Sequence, residues 1–310
     1  MKEVLDKESK LDNYLMIIAT VFWSGAFIAG KFSVSEFPVF SLTFFRFFFA
    51  VVATFAIMIK KGENYKIEKT DIFLFVQLGI IGMVGYHVFF FLALKYTTAV
   101  NSSLIAATNP IITTILAFVF FKENIKPKNI ISILVSFLGV ILIITNGNLK
   151  LLAGFKFNIG DLLMIIAVVC WATYSVISKK ALKKYKPMVV TSYSFLVCVI
   201  SLIPFVIIEK PWVYIPNTSI KGWISVLYMS IFASVIGYSI QQVSIKKIGA
   251  SKTSLYINLV PVFSMILAYF ILGESISSIK LVSAMLIISG VLLNTGINIK
   301  KVEKENEQKN

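Results

Sequence analysis

The sequence predicts an all-α integral membrane protein with ten transmembrane helices, arranged as two inverted five-helix repeats. Three observations carry this expectation. Hydrophobic residues make up 57% of the 310 positions, against about 45–50% in soluble domains. Charged residues make up 15%, against about 25% in soluble domains, and mean hydropathy is +0.85. The apolar residues gather in long runs, and landmarks of the first half recur in the second. A bilayer solvates such apolar exteriors, which water does not.

A spanning helix needs about 20 mainly apolar residues. The first half offers runs at 14–31, 39–59, 72–94, 98–121 and 128–145. The second offers 161–179, 189–208, 221–244, 250–272 and 279–297. Lysines punctuate them: Lys31, Lys60 with Lys61, Lys95, Lys122, Lys179 with Lys180, Lys210, Lys246 with Lys247, and Lys280. Most runs contain Gly, Ser or Thr, which permit close helix packing in a membrane. Asn146, Gly147, Asn148 and Gly154 mark a turn-rich connector. The expected organisation is a cytoplasmic tail (1–13), a first repeat (14–145), a linker (146–160), a second repeat (161–297) and a cytoplasmic tail (298–310). Trp212, Tyr214 and Trp223, in or beside the break at 209–220, read as an interfacial aromatic belt.

The net charge of +15 rests on lysines in the breaks and on one arginine, Arg46. No basic patch is dense enough to follow a phosphate backbone, so nucleic acid is not an expected partner. With the N-terminus inside and ten spans, 22 lysines fall in inner segments and 7 in outer ones. That bias places both termini in the cytoplasm of a cell-membrane protein. The first twelve residues are mixed in charge and no small-residue cleavage pattern follows, so no signal peptide is expected. Cys170 and Cys198 lie in separate apolar runs without metal-ligand spacing. They read as buried small hydrophobes, and neither metal nor cofactor is expected.

Ala99, Ser103, Leu104, Pro110, Glu123, Ser132, Gly139, Val140 and Leu142 recur 151 positions later, from Ala250 to Leu293. Trp23 and Lys31 return as Trp171 and Lys179, Pro38 as Pro187, and Gly85-Tyr86 as Gly237-Tyr238. Five spans per half is odd, so the second half enters from the opposite side. Two similar halves of opposite orientation can take two equivalent packings, with a site near the midplane between them.

At these residues the chain resembles the EamA-type family of the drug/metabolite transporter superfamily. The matching pieces are Trp23 to Phe27, Arg46-Phe47 to Ala50, Pro110 to Glu123, Gly160-Asp161 to Trp171-Ala172 and Lys179, and Gly249-Ala250 through Pro261 to Glu274. The resemblance covers about 14–297. It implies ten helices and export of small metabolites, often amino acids.

Polar groups at membrane depth are costly and are therefore candidates for function. Arg46 and His87 fall at similar depth. Arg46 either neutralises a substrate carboxylate or ties helix carbonyls together. His87 either titrates and orients substrate or bonds between helices. If a coupling proton drives transport, His87 is the intramembrane side chain that ordinarily titrates near neutrality. Trp23 and Trp171, at symmetry-related mid-membrane positions, either pack helices or wall a cavity. Asn101 and Thr108 are seven apart and Ser254 and Asn258 four apart, spacings that place each pair on one helix face. These residues, with Asn109, Tyr86, Tyr174 and Tyr238, either glue helices or line the path. Pro110 and Pro261 are expected to kink their helices, as a hinge or as plain packing.

No HExxH and no recognisable Ser–His pair argues for an enzyme, and no catalytic residue is expected. The leading expectation is a metabolite exporter working by alternating access on a small-molecule substrate. A flippase for lipids or lipid-linked carriers is the alternative. Asp71, Asp161, Glu123 and Glu274 all lie near run ends. Exchanging an organic cation for a proton generally needs a carboxylate in the membrane. A neutral, zwitterionic or anionic substrate is therefore expected, and proteoliposomes should show no saturable uptake of a permanent organic cation such as labelled tetraphenylphosphonium.

Overall fold

The computed structural model describes residues 2–62, 66–121 and 158–295, with scattered positions between 131 and 148. Among the described residues there is no strand. The chain runs through α1 (Lys2–Ser33), α2 (Val39–Lys60), α3 (Lys69–Tyr96), α4 (Ala99–Ala106), α5 (Asn109–Phe121), α6 (Ile159–Ala181), α7 (Pro187–Ile208), α8 (Ile220–Ile248), α9 (Ala250–Ser254), α10 (Val260–Leu267) and α11 (Ser278–Thr295). Among the described residues seven helical stretches are long and apolar enough to cross a membrane: Tyr14–Ser33, Val39–Lys60, Lys69–Tyr96, Ala99–Phe120, Ile159–Ala181, Pro187–Ile208 and Ile220–Ile248. Tyr256–Leu272 and Ser278–Gly290 are shorter apolar helices. The expected span at 128–145, the linker 146–160, Glu123 and the tail 298–310 lie largely or wholly outside the described residues.

Helix starts follow local chemistry. Pro187 opens α7, where its missing N–H costs nothing. Thr98, Asn158 and Ser219 cap α4, α6 and α8 by accepting from Asn101, Gly160 and Gly222 N–H. Other starts are capped from across the molecule. Glu274 accepts from Ala99 N–H at 2.8 Å and Val100 N–H at 3.1 Å. Glu209 accepts from Phe40 and Ser41 N–H, and Glu36 from Ser219 N–H at 2.7 Å. An anion there meets both free donors and the positive end of the helix dipole.

The prolines act differently from the expected kinks. Pro110 is the second residue of α5, after a break at Ala107 and Thr108. Pro261 is the second residue of α10, after a 3₁₀ stretch at Leu255–Leu259. Proline cannot donate to the preceding turn and clashes with the carbonyl four residues back, so it opens a new segment. Consequently Asn101 and Thr108 do not share one continuous helix face. Ser254 and Asn258 are also not aligned, because a 3₁₀ stretch has about three residues per turn.

α1 packs on α8 and α10, while α6 packs on α3, α4 and α5; α2 and α7 pack on each other. Among the described residues three wide π turns occur: Leu78–Gly85 in α3, Met229–Ile236 in α8, and Ala268–Leu272. The first two end directly before Tyr86 and Gly237-Tyr238. Close approach between helices depends on small residues. A Cβ at Gly160 would lie 2.8 Å from Thr97 N and 2.9 Å from Ala93 O, both backbone atoms. The expected aromatic belt is split. Trp212 is exposed, whereas Tyr214 and Trp223 pack edge-on against Phe37.

Gly160→Ala is expected to destabilise the fold by about 1–3 kcal/mol, the usual cost of overpacking, because the obstructing atoms are backbone. A lowered thermal unfolding midpoint in detergent would record it.

Candidate functional site

The site begins with two tryptophans. Trp23 on α1 and Trp171 on α6 meet edge-to-face with ring centroids 5.5 Å apart. Tyr86 lies edge-on to Trp171 at 4.3 Å. Tyr238 completes the group, 5.4 Å from Trp171 and 6.4 Å from Trp23. Edge-to-face contact suits the positive edge and negative face of aromatic rings, so the group holds itself in register. Beside it is a small cavity, lined by Trp23, Tyr86, Asn109 and Trp171 and by apolar Phe27 and Val260 among others. No carboxylate and no cation lines it.

Local backbone irregularity positions these groups. In the π turn of α8, Gly237 N–H bonds to Phe232 O, five residues back. The Ala233 carbonyl accepts from Trp23 Nε1–H at 3.1 Å. In α3, Tyr86 N–H likewise reaches back to Ile81 O. π turns of this kind frequently mark functional sites. The breaks beside Pro110 and Pro261 set Asn109, Ile257 and Val260 at the cavity wall.

The expected residues divide into groups. Trp23, Tyr86, Asn109 and Trp171 line the cavity. Tyr238 stands against both tryptophans, and Tyr174 lies 6.0 Å behind it, with Gln242 Nε2 donating to the Tyr174 hydroxyl at 2.6 Å. His87 is wholly buried. Its Nδ1–H donates to Met83 O at 2.9 Å, because a carbonyl only accepts, and its Nε2 faces the Tyr238 hydroxyl at 3.3 Å. Arg46 does not line the cavity. Its Nε–H donates to Ser234 Oγ at 2.9 Å, and its guanidinium lies 5.5 Å from the Phe47 ring. It remains within electrostatic reach of Tyr86, His87 and Tyr238.

Other candidates lie elsewhere. Asn101 binds the Asp161 carboxylate, which also accepts from Thr97 Oγ1–H at 2.6 Å. Asp161 lies near a helix end as the sequence indicated, yet it is 1% exposed. Thr108 donates to Ile105 O within the break. Asn258 is buried on the 3₁₀ stretch, next to cavity-lining Ile257. Phe27, Val260 and Ser234 were not singled out from sequence. Apolar residues in apolar runs carry no signal, and Ser234 matters only through its distant partner.

Both ends join the halves. At one end are the carboxylates Glu36, Glu209, Glu274 and Asp161, with Lys31 Nζ donating to Leu94 O and Thr97 O at 2.6 Å each. At the other, Lys184 Nζ lies 2.6 Å from Asp71 and 2.5 Å from Glu68, and the Tyr185 hydroxyl donates to Asp71. The hydrogen bond to Asp71 and the pairing with Glu68 hold the Lys184 ammonium above its ordinary pKa. Among the described residues no metal-binding group of His, Cys, Asp or Glu occurs.

Ser234→Ala removes the acceptor from a buried charged donor. It should lower stability by about 1.5–3 kcal/mol, the range for hydrogen bonds to charged groups. An earlier chemical denaturation midpoint would register the loss.

Comparisons with known proteins agree with this architecture. A sequence model described as the EamA-like transporter family matches residues 12–145 and 158–296. An uncharacterized transporter of Bacillus subtilis (strain 168), YyaM, is 35% identical over 289 residues, 93% of this chain and 94% of its own. A protein of Salmonella typhimurium named "Probable amino-acid metabolite efflux pump" is 23% identical, over 96% of this chain and 99% of its own. A solved crystal structure, 20% identical, superposes with a TM-score of 0.69 over 92% of this chain and 97% of its own. That likeness concerns the fold. From the family match and the apolar helices, the chain belongs to the EamA-like transporter family and is a multi-pass membrane transporter, not an enzyme.

Proposed function

We propose that this chain is a secondary transporter that exports a small neutral, zwitterionic or anionic metabolite, an amino acid or a related compound, by alternating access. The observation that carries the reading is the uncharged aromatic cavity, to which 14–145 contributes Trp23, Tyr86 and Asn109 and 161–297 contributes Trp171 and Val260. An indole and phenol wall suits an apolar or flat body, and its ring faces also attract an ammonium group. The absence of a lining carboxylate disfavours a permanent organic cation. A distant relative's name as an amino-acid metabolite efflux pump adds support.

The same reading takes 14–145 and 161–297 as inverted five-helix repeats joined by 146–160, with ten spans in the cell membrane. Both tails, 1–13 and 298–310, are then cytoplasmic, and the end bearing Glu36, Glu209, Glu274 and Asp161 faces outward. Each of those carboxylates joins one proposed repeat to the other. Opening the cavity outward therefore requires those contacts to part.

Counterflow of labelled amino acids into proteoliposomes tests the proposal, using aromatic, neutral, basic and acidic members with and without a pH gradient. Accumulation of an aromatic or neutral class is expected. Folded protein that accumulates no class would overturn the reading, and protein that instead moves fluorescent phospholipid between leaflets would replace it with a lipid carrier.

A further inference from the structure

We infer that the two central tryptophans have different tasks, and that Trp171 reads the substrate by donating its indole N–H to a carbonyl or carboxylate oxygen. The inference rests on the transport reading above and narrows the substrate class within it to compounds presenting such an oxygen on a flat or apolar body.

Trp23 and Trp171 occupy corresponding places in the two halves, so equivalent bonding would be expected. The structure separates them. Trp23 Nε1–H is spent on the Ala233 carbonyl at 3.1 Å. Trp171 Nε1–H is buried, and no hydrogen-bond acceptor reaches it. The residue is only 7% exposed. A buried donor without a partner costs about 1–3 kcal/mol. A phenylalanine would fill much of the same apolar space without that cost. The indole is also held firmly, by Tyr86 at 4.3 Å, Tyr238 at 5.4 Å and Trp23 at 5.5 Å. A fixed donor at a cavity wall is the arrangement that turns binding into discrimination, because a ligand lacking the acceptor leaves the N–H unpaired.

The neighbouring amide points the same way. The Asn109 oxygen accepts from the Thr113 hydroxyl at 3.0 Å, and its nitrogen donates to Val168 O at 3.5 Å. One amide N–H beyond that bond stays available, and the amide oxygen keeps one lone pair beyond the Thr113 bond. Trp171 and Asn109 thus both offer hydrogen, and no carboxylate in the lining offers an opposing acceptor. A ligand oxygen satisfies this pair. A ligand carrying only N–H donors does not.

The test uses full-length protein in nanodiscs with ¹⁵N-labelled indole rings, which gives one N–H resonance for each of the 4 tryptophans. Trp171→Phe assigns the resonance. The probes are 3-phenylpropanoate, 3-phenylpropanamide and 3-phenylpropylamine, which share a body and differ in the polar group. The acid and the amide are expected to shift the Trp171 resonance strongly and the amine weakly. A second variant, Trp171→benzothienylalanine, keeps the ring shape and replaces N–H with sulfur. Its three remaining indole resonances report whether it is folded. It should bind the acid and amide about 3- to 10-fold more weakly, the factor for one hydrogen bond, and leave the amine within about twofold. Equal weakening for all three probes, or a shift at Trp23 without one at Trp171, would overturn the inference. If amino-acid counterflow succeeds while this variant keeps the acid-to-amine ratio, only the inference fails. If counterflow fails and no probe moves any indole resonance, both fail.

Discussion

In hydrocarbon there is no water to satisfy a free N–H or C=O, and each one left bare costs several kcal/mol. The break between α4 and α5 and the π turn of α8 are arranged around that constraint. Where α4 ends and α5 begins, Thr108 folds its hydroxyl back onto Ile105 O, and the break lies against the cavity and α6 instead of facing lipid. The π turn in α8 leaves a carbonyl out of the regular ladder's spacing, and a side chain from another helix takes it, as Trp23 takes Ala233 O; in α3 the His87 ring of the same helix takes Met83 O. At the α4–α5 break and the π turn of α8, protein groups take the place of water.

The same requirement explains the carboxylates. Glu36, Glu209 and Glu274 each sit on free N–H groups at the start of a helix in the opposite half. The Glu274 carboxylate completes a helix other than its own. Stability of the helix ends and association of the halves are therefore one interaction, and separating the halves at that end exposes helix starts as well as carboxylates.

The centre follows a different logic. The aromatic group around Trp171 is built from equivalent positions of two similar halves, yet its polar edges are not equivalent. Trp23 is anchored by backbone; His87 is tied through Met83 O and Tyr238; Arg46 is bound to Ser234. Arg46 and His87, the charged and titratable groups singled out in the sequence, make their side-chain hydrogen bonds behind the wall. The wall itself is made from rings, one amide and apolar side chains.

Much was legible in the residues alone. Composition, run length and lysine placement determine a multi-pass helical membrane protein, because the bilayer sets span length and excludes charge. Trp23 and Trp171 could be singled out because a tryptophan at mid-membrane is out of place, and Pro110 and Pro261 because proline within a helical run removes a backbone donor. Whether proline kinks or restarts a helix depends on what receives the freed backbone groups, and that is a matter of neighbours. Whether Asn101 glues helices or lines a path could not be read from spacing, and the structure sets it beside Asp161, 60 positions away. The two tryptophans are indistinguishable in sequence. Only the tertiary structure decides that one N–H meets a carbonyl and the other meets none, because a hydrogen bond depends on distances of a few tenths of an ångström between helices that the sequence places far apart.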